Sequence, residues 1–239
     1  MWQANVFTIF PEAFPGTLGV SLIGDALVQK KWDLNLIDLK KYPVKSDRID
    51  SIPYGGGAGM ILSPLTFEKA FDSLSDSQKK MKKIYFSPRG KQMTQNDLQK
   101  LSWSEGVTML CGRYEGVDQR ILDYYGFEEI SIGDFVLLGG EVVAMTIIEG
   151  IVRLLPEVVG NNESIHTDSF QEPLLEYHQY TRPQEFHSLK VPEILRSGDH
   201  KKIKEFRLKQ SIELTKKRRP DVWAKYVKKK IRGIEVSLD

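Results

Sequence analysis

The amino-acid sequence predicts an α/β fold built on a parallel sheet and followed by a small, mainly helical, basic domain. Three observations carry this. Segments rich in strand formers alternate with helix-like segments over residues 4–155, the pattern of a parallel sheet with crossover helices. Glycine-bearing loops recur where those strands should end, at residues 53–60 (PYGGGAGM), 87–90 (SPRG), 112–116 (GRYEG) and 133–140 (GDFVLLGG). The charge is also divided. Residues 1–173 hold 17 Lys+Arg against 23 Asp+Glu, net −6, whereas residues 174–239 hold 17 against 9, net +8.

Taken in order, residues 4–10 (ANVFTIF) and 33–39 (DLNLIDL) read as strands, with a helix over residues 20–30 between them. Helices are expected at 63–74, 94–103 and 117–125, and strands at 83–87, 107–111 and 128–132. Residues 140–155 form the covering helix, stopped by Pro156. From 157 to 172 (EVVGNNESIHTDSFQE) periodicity gives way to Gly, Asn, Ser and Asp, the composition of a linker or mobile loop. The expected organisation is a domain over 1–160, a linker over 161–173 and a second domain over 174–239. In the second, residues 191–196, 200–215 and 221–231 read as short helices. The middle one carries Ile203, Phe206 and Ile212 on one face, and the cluster Lys216, Lys217, Arg218 and Arg219 lies beyond it.

A single cysteine, Cys111, excludes an intramolecular disulfide framework, and His166, His178, His187 and His200 lack metal-ligand spacing, so no metal site is expected. The opening MWQANVFTIFPEAF has no basic stretch before an apolar run, and the most apolar later run is broken by Glu149 and Arg153. The expectation is a soluble, cytoplasmic protein with no membrane association. The basic tail is the footprint of a nucleic-acid partner, because phosphate neutralisation drives such affinity. A solvated lysine-rich helical surface is the alternative.

No G-x-G-x-x-G follows the first strand and no G-x-x-x-x-G-K-[ST] occurs, so the usual dinucleotide and triphosphate cradles are absent. In open α/β sheets ligands bind beyond the carboxyl ends of the strands, where the later glycine loops fall. Residues 130–141 (ISIGDFVLLGGE) are central: Gly133 and the pair Gly139-Gly140 bracket Phe135, Val136, Leu137 and Leu138, which cannot all be solvated. An apolar loop with free main-chain groups suits a flat heterocycle. A tight strand-to-helix connection without a ligand is the other reading.

With PYGGGAGM, CGRYEGVD, SIGDFVLLGGE, the AMT of residues 144–146, the DSF of 168–170, the YTRP of 180–183 and the RLKQS of 207–211 in this order, the chain resembles the bacterial tRNA (guanine-N1)-methyltransferases that modify guanine 37. These form the TrmD family of the SPOUT superfamily. The resemblance runs from Phe10-Pro11 to Arg219-Pro220. It implies a SPOUT-type α/β sheet with a deep trefoil knot towards its C-terminal side, which departs from the general avoidance of threaded connections. It also implies S-adenosyl-L-methionine as methyl donor, Mg2+ as an optional auxiliary cation, a homodimer, and a C-terminal domain that grips the tRNA anticodon stem-loop.

By position, the resemblance puts the cofactor site on Ser87, Pro88, Gly112, Tyr114, Glu115, Ile132, Gly133, Val136, Leu137, Leu138 and Gly140. Substrate contacts fall on Ser169, Tyr180, Arg182, Arg207 and Lys209, and the catalytic pair on Arg153 and Asp168, one from each protomer. By the residues alone, Arg153 serves equally as a cation at a helix C-terminus and Asp168 as an N-cap. Leu138 stands where the family usually has a small hydroxyl residue, and Thr167 where an acid usually precedes the aspartate. Guanine N1 carries a proton at neutral pH, so the implied chemistry needs a general base, Asp168, and a cation, Arg153, for the charge developing on O6. Two other readings stand beside this one: a SPOUT methyltransferase with another RNA target, and a non-catalytic RNA-binding protein.

Overall fold

The first unit is organised by strands β1 (Trp2–Thr8), β2 (Trp32–Asp38), β5 (Lys82–Gln92), β6 (Gly106–Leu110) and β7 (Glu128–Ser131), with a two-residue antiparallel pair β3 (Asp50–Ser51) and β4 (Ile61–Leu62) between. The five long strands form one sheet in the order β2-β1-β6-β5-β7, and every pairing is parallel. The computed structural model describes residues 1–44, 48–160, 169–170 and 172–235, with 232–235 by backbone alone. The chain divides into two compact units, Met1–Gly160 and Asn161–Asp239.

A parallel sheet must be covered on both faces, and β1 shows how the sequence does it. Trp2, Ala4 and Val6 point into one core with Ile147, Ile148 and Ile151 of α6 (Glu141–Val152), while Phe7 enters the other. That second core contains Phe67 and Phe71 of α2 (Pro64–Asp72) and Leu122 of α5 (Gln119–Tyr125). Helices α1 (Ser21–Val28) and α4 (Gln95–Ser102) complete the alternation.

Some boundaries differ from the sequence reading for identifiable reasons. Strand β5 does not end at Ser87 but continues to Gln92, and Phe86 and Lys91 both pair with Ile130. Residues 87–90 are therefore an irregularity within the strand, centred on Pro88, which has no N–H to give the ladder. Helix α6 ends at Val152, not at Pro156. The N–H groups of Leu154 and Leu155 bond back three residues, to Ile151 and Val152, and so tighten the last turn. A short helix α3 (Asp76–Lys80) lies outside the expected elements, although Ser75 and Gln78 form a capping box, an S-x-x-Q signal visible in the sequence.

The second unit holds a minimal hairpin, β8 (Glu185–Phe186) with β9 (Leu189–Lys190), and a 3-10 turn at Glu193–Arg196 where a helix was expected. Helix α7 (His200–Arg218) begins at Asp199, whose side chain accepts the Lys202 N–H at 3.1 Å. It runs on through the basic cluster, because cations complement the carboxyl end of a helix dipole. Pro220 then opens α8 (Pro220–Glu235), a position where its missing N–H costs nothing. Ser211 and Thr215 of α7 and Val222 of α8 are buried, and the Thr215 hydroxyl accepts the Leu175 N–H at 2.8 Å. Among the described residues, no helix is long and apolar enough to cross a membrane.

Candidate functional site

A cavity of about 710 Å3 opens in the first unit beyond the carboxyl ends of β6 and β7, against the irregularity within β5. Its wall gathers Ser87, Pro88, Gly112, Tyr114, Glu115, Ile132, Gly133, Val136, Leu137, Leu138 and Gly140. It also takes in Pro53, Tyr54, Ile61, Arg89, Arg113, Asp118, Gln119, Phe135 and Val143, which the sequence reading did not assign. Most of these lie in or beside the glycine-bearing loops already singled out, and that was the available signal.

Two loops make the closest approach. The Gly140 N–H donates to the Gly112 carbonyl at 3.1 Å, and a Cβ on Gly140 would stand 2.9 Å from Cys111 Cα. Glycine is needed there because backbone meets backbone. Gly139 is needed for a different reason: a Cβ would lie 2.1 Å from Arg113 Nε, so this position admits the guanidinium. Tyr114 sits at φ +58° in the GRYEG loop, a left-handed conformation sparsely used by non-glycine residues.

The apolar run between the glycines was expected to be covered, and it is not. Phe135 is 54% exposed, Val136 83%, Leu137 45% and Leu138 92%. Four consecutive large apolar side chains open to water and bordering a cavity have the character of an interaction or ligand-binding surface.

The charges around the cavity are largely compensated. Arg89 pairs with Glu129 at 3.0 Å, and Arg113 with the buried Glu141 at 2.9 Å. The hydrogen bond from the Arg120 side chain holds the Asp118 carboxyl below the usual carboxylate range. Glu115 makes no ion pair with a described residue, so the uncompensated charge on the wall is negative. Beneath the GRYEG loop, burial pushes the Tyr85 phenol up, and burial likewise pushes the Cys111 thiol well up, leaving it protonated and unreactive.

Arg153 does not line this cavity. It follows directly on α6, and its N–H donates to the Glu149 carbonyl at 3.0 Å. Asp168, with Thr167, lies outside the described residues. In the second unit, a groove of about 420 Å3 brings Tyr180, Arg182 and Arg207 together with Tyr177, His178 and Arg196. Among the described residues no carboxylate lines it, and the Arg207 guanidinium stands 4.7 Å over the Tyr177 ring. Ser169 instead accepts the Glu176 N–H at 2.9 Å, and Lys209 is exposed outside the groove. Among the described residues, no three or more His, Cys, Asp or Glu side chains are placed to hold a metal ion.

Comparison with known proteins gives a consistent result. The family model described as tRNA (Guanine-1)-methyltransferase TrmD matches residues 2–225. The chain is 47% identical over 228 residues to a tRNA (guanine-N(1)-)-methyltransferase of Ruegeria pomeroyi, covering 95% of this chain and 94% of that protein. It is 45% identical over 230 residues to one of Pelagibacter ubique, covering 95% and 100%. With one of Ehrlichia ruminantium it shares 47% identity over 224 residues, covering 93% and 95%.

Proposed function

Because the chain belongs to the tRNA (Guanine-1)-methyltransferase TrmD family, a family of methyltransferases, we propose that it transfers a methyl group from S-adenosylmethionine to N1 of guanine 37 in tRNA. The observation that carries this reading is the exposed apolar run of residues 135–138, flanked by glycines, on the wall of the 710 Å3 cavity. Small-molecule sites occupy about 300–1,000 Å3 and are mostly apolar with a few fixed polar groups. The wall fits S-adenosylmethionine on three counts. Its volume is adequate, its glycine loop suits a flat base held by main chain, and the Glu115 carboxylate, without an ion pair among the described residues, suits a sulfonium cation.

When bound, S-adenosylmethionine supplies an electrophilic methyl group on a positively charged sulfur. Ile132, Gly133, Val136, Leu137, Leu138 and Gly140 hold the base, with Ser87, Pro88, Gly112, Tyr114 and Glu115 completing the lining. Asp168 accepts the guanine N1 proton and so frees the lone pair that attacks. Arg153, a permanent cation with a planar fork of donors, stabilises the negative charge that develops on guanine O6. Holding N1 in line with the methyl group contributes the rest, an effect of up to about 7–11 kcal/mol in favourable geometries.

The second unit, with the net +8 charge of its residues 174–239 and its arginine-lined groove, binds the anticodon stem-loop through Ser169, Tyr180, Arg182, Arg207 and Lys209. The active species is a homodimer in the cytoplasm, and the methyltransferase unit carries the family's trefoil knot. The test is methyl transfer from labelled S-adenosylmethionine to tRNA transcripts that differ only at positions 36 and 37. Product at N1 of a guanine preceded by guanine is expected. Incorporation indifferent to those two bases overturns the reading.

A further inference from the structure

Thr8, Arg113 and Glu141 come from three distant parts of the sequence and meet where Arg113 joins the cavity wall. Glu141 is the first residue of α6, directly after the glycine loop, and is only 2% exposed. One of its oxygens accepts the Thr8 hydroxyl at 2.8 Å, and the other accepts Arg113 Nε and Nη2, each at 2.9 Å. The guanidinium continues the chain of contacts. It reaches the Leu138 carbonyl from Nη1 at 3.5 Å, lies 4.5 Å over the Phe10 ring, and rests against Gly139 where any side chain would collide with it.

A buried ion pair is weak evidence of a stability device, because desolvation offsets much of its attraction and apolar replacements of similar volume often do as well. What apolar residues cannot do is hold a carbonyl in place and set the spacing of two loops through a rigid fork. We infer that Arg113, clamped by Glu141 and Thr8, is a positioning residue: it fixes the glycine loop against the GRYEG loop and thereby sets the affinity of the cavity for the methyl donor. Arg113 need not touch the methyl group or the target base. This inference rests on the proposal that the cavity takes S-adenosylmethionine.

The experiment measures S-adenosylmethionine binding by calorimetry and thermal stability on the same samples of the full-length chain. Arg113→Lys retains the charge and loses the fork, and Glu141→Gln retains the shape and loses the charge. Each is expected to raise Kd by about tenfold or more, the effect of losing a hydrogen bond to a charged group. The corresponding rise in KM for S-adenosylmethionine should appear without a matching rise in KM for tRNA. The double variant Arg113→Met/Glu141→Met separates the two roles. It should regain the melting temperature lost by the single variants without regaining affinity.

Recovery of both stability and affinity in the double variant overturns the clamp, since the pair would then serve the core alone. Folded Arg113→Lys and Glu141→Gln proteins that bind as tightly as wild type overturn it too. A wild-type protein that binds no S-adenosylmethionine overturns the underlying proposal, and the clamp with it.

Discussion

Position 140 has room for nothing larger than hydrogen, because the nearest neighbours of an added Cβ are the backbone of Cys111 and Gly112 and the ring of Phe86. Gly140→Val should therefore push the glycine loop away from the GRYEG loop. Overpacking of this kind costs about 1–3 kcal/mol, and S-adenosylmethionine affinity, read by calorimetry, should fall roughly five- to a hundredfold. At the proposed catalytic pair, Asp168→Asn keeps the size and removes the proposed proton acceptor. Methyl transfer in single-turnover assays should then drop by a factor of about 100 to 10,000, with cofactor binding intact. The need for Gly140 was legible in the sequence because glycine pairs advertise close backbone approach. The requirement at Gly139 was not, because it depends on an arginine 26 residues earlier folding back over it, and nothing in local spacing announces that contact.

At the scale of elements, alternation of strand and helix was readable because strands buried on both faces are apolar runs, and β1, β2, β6 and β7 stand within two residues of their expected limits. Strand β5 extends past its expected limit because a Ser-Pro-Arg-Gly sequence has the same signature in a turn as in a bulge. Helix α5 offers a test of packing through pH. Burial, with the carboxylates of Glu68 and Asp72, pushes the Tyr125 phenol up to about 12. The unfolded chain ionises near pH 10, so the folded form holds its proton more tightly. The contribution to stability is full below pH 10 and is lost as pH rises towards 12. Tyr125→Phe, which keeps the ring against Phe67 and Phe71, should flatten that part of the alkaline denaturation curve. The groove beside α7 makes a second, separate prediction. If Arg182 and Arg196 meet phosphates, replacing both by alanine should weaken tRNA binding. It should also reduce the magnitude of the slope of log K against log salt by about 2, one per lost contact. S-adenosylmethionine affinity should not change.

At the scale of the whole molecule, the charge division is the feature that sequence alone made plain, and the two compact units follow it within about a dozen residues: the charge was divided at Pro173 and the units part after Gly160. The proposed knot and dimer are invisible to periodicity, because one is a property of threading and the other of a second chain. The exposed run of residues 135–138 is where an account of the single chain is incomplete. The proposal that Arg153 of one protomer works with Asp168 of its partner turns that into a measurement. Arg153→Ala and Asp168→Asn homodimers should each be nearly inactive. Under conditions that exchange subunits, a mixed dimer carries both lesions in one site and neither in the other, so half of its sites are wild type. Activity should return on mixing in proportion to the heterodimer fraction, measured by differential tagging, and approach half the wild-type rate per dimer. Heterodimers that remain inactive would place both residues in one chain or remove one of them from the chemistry.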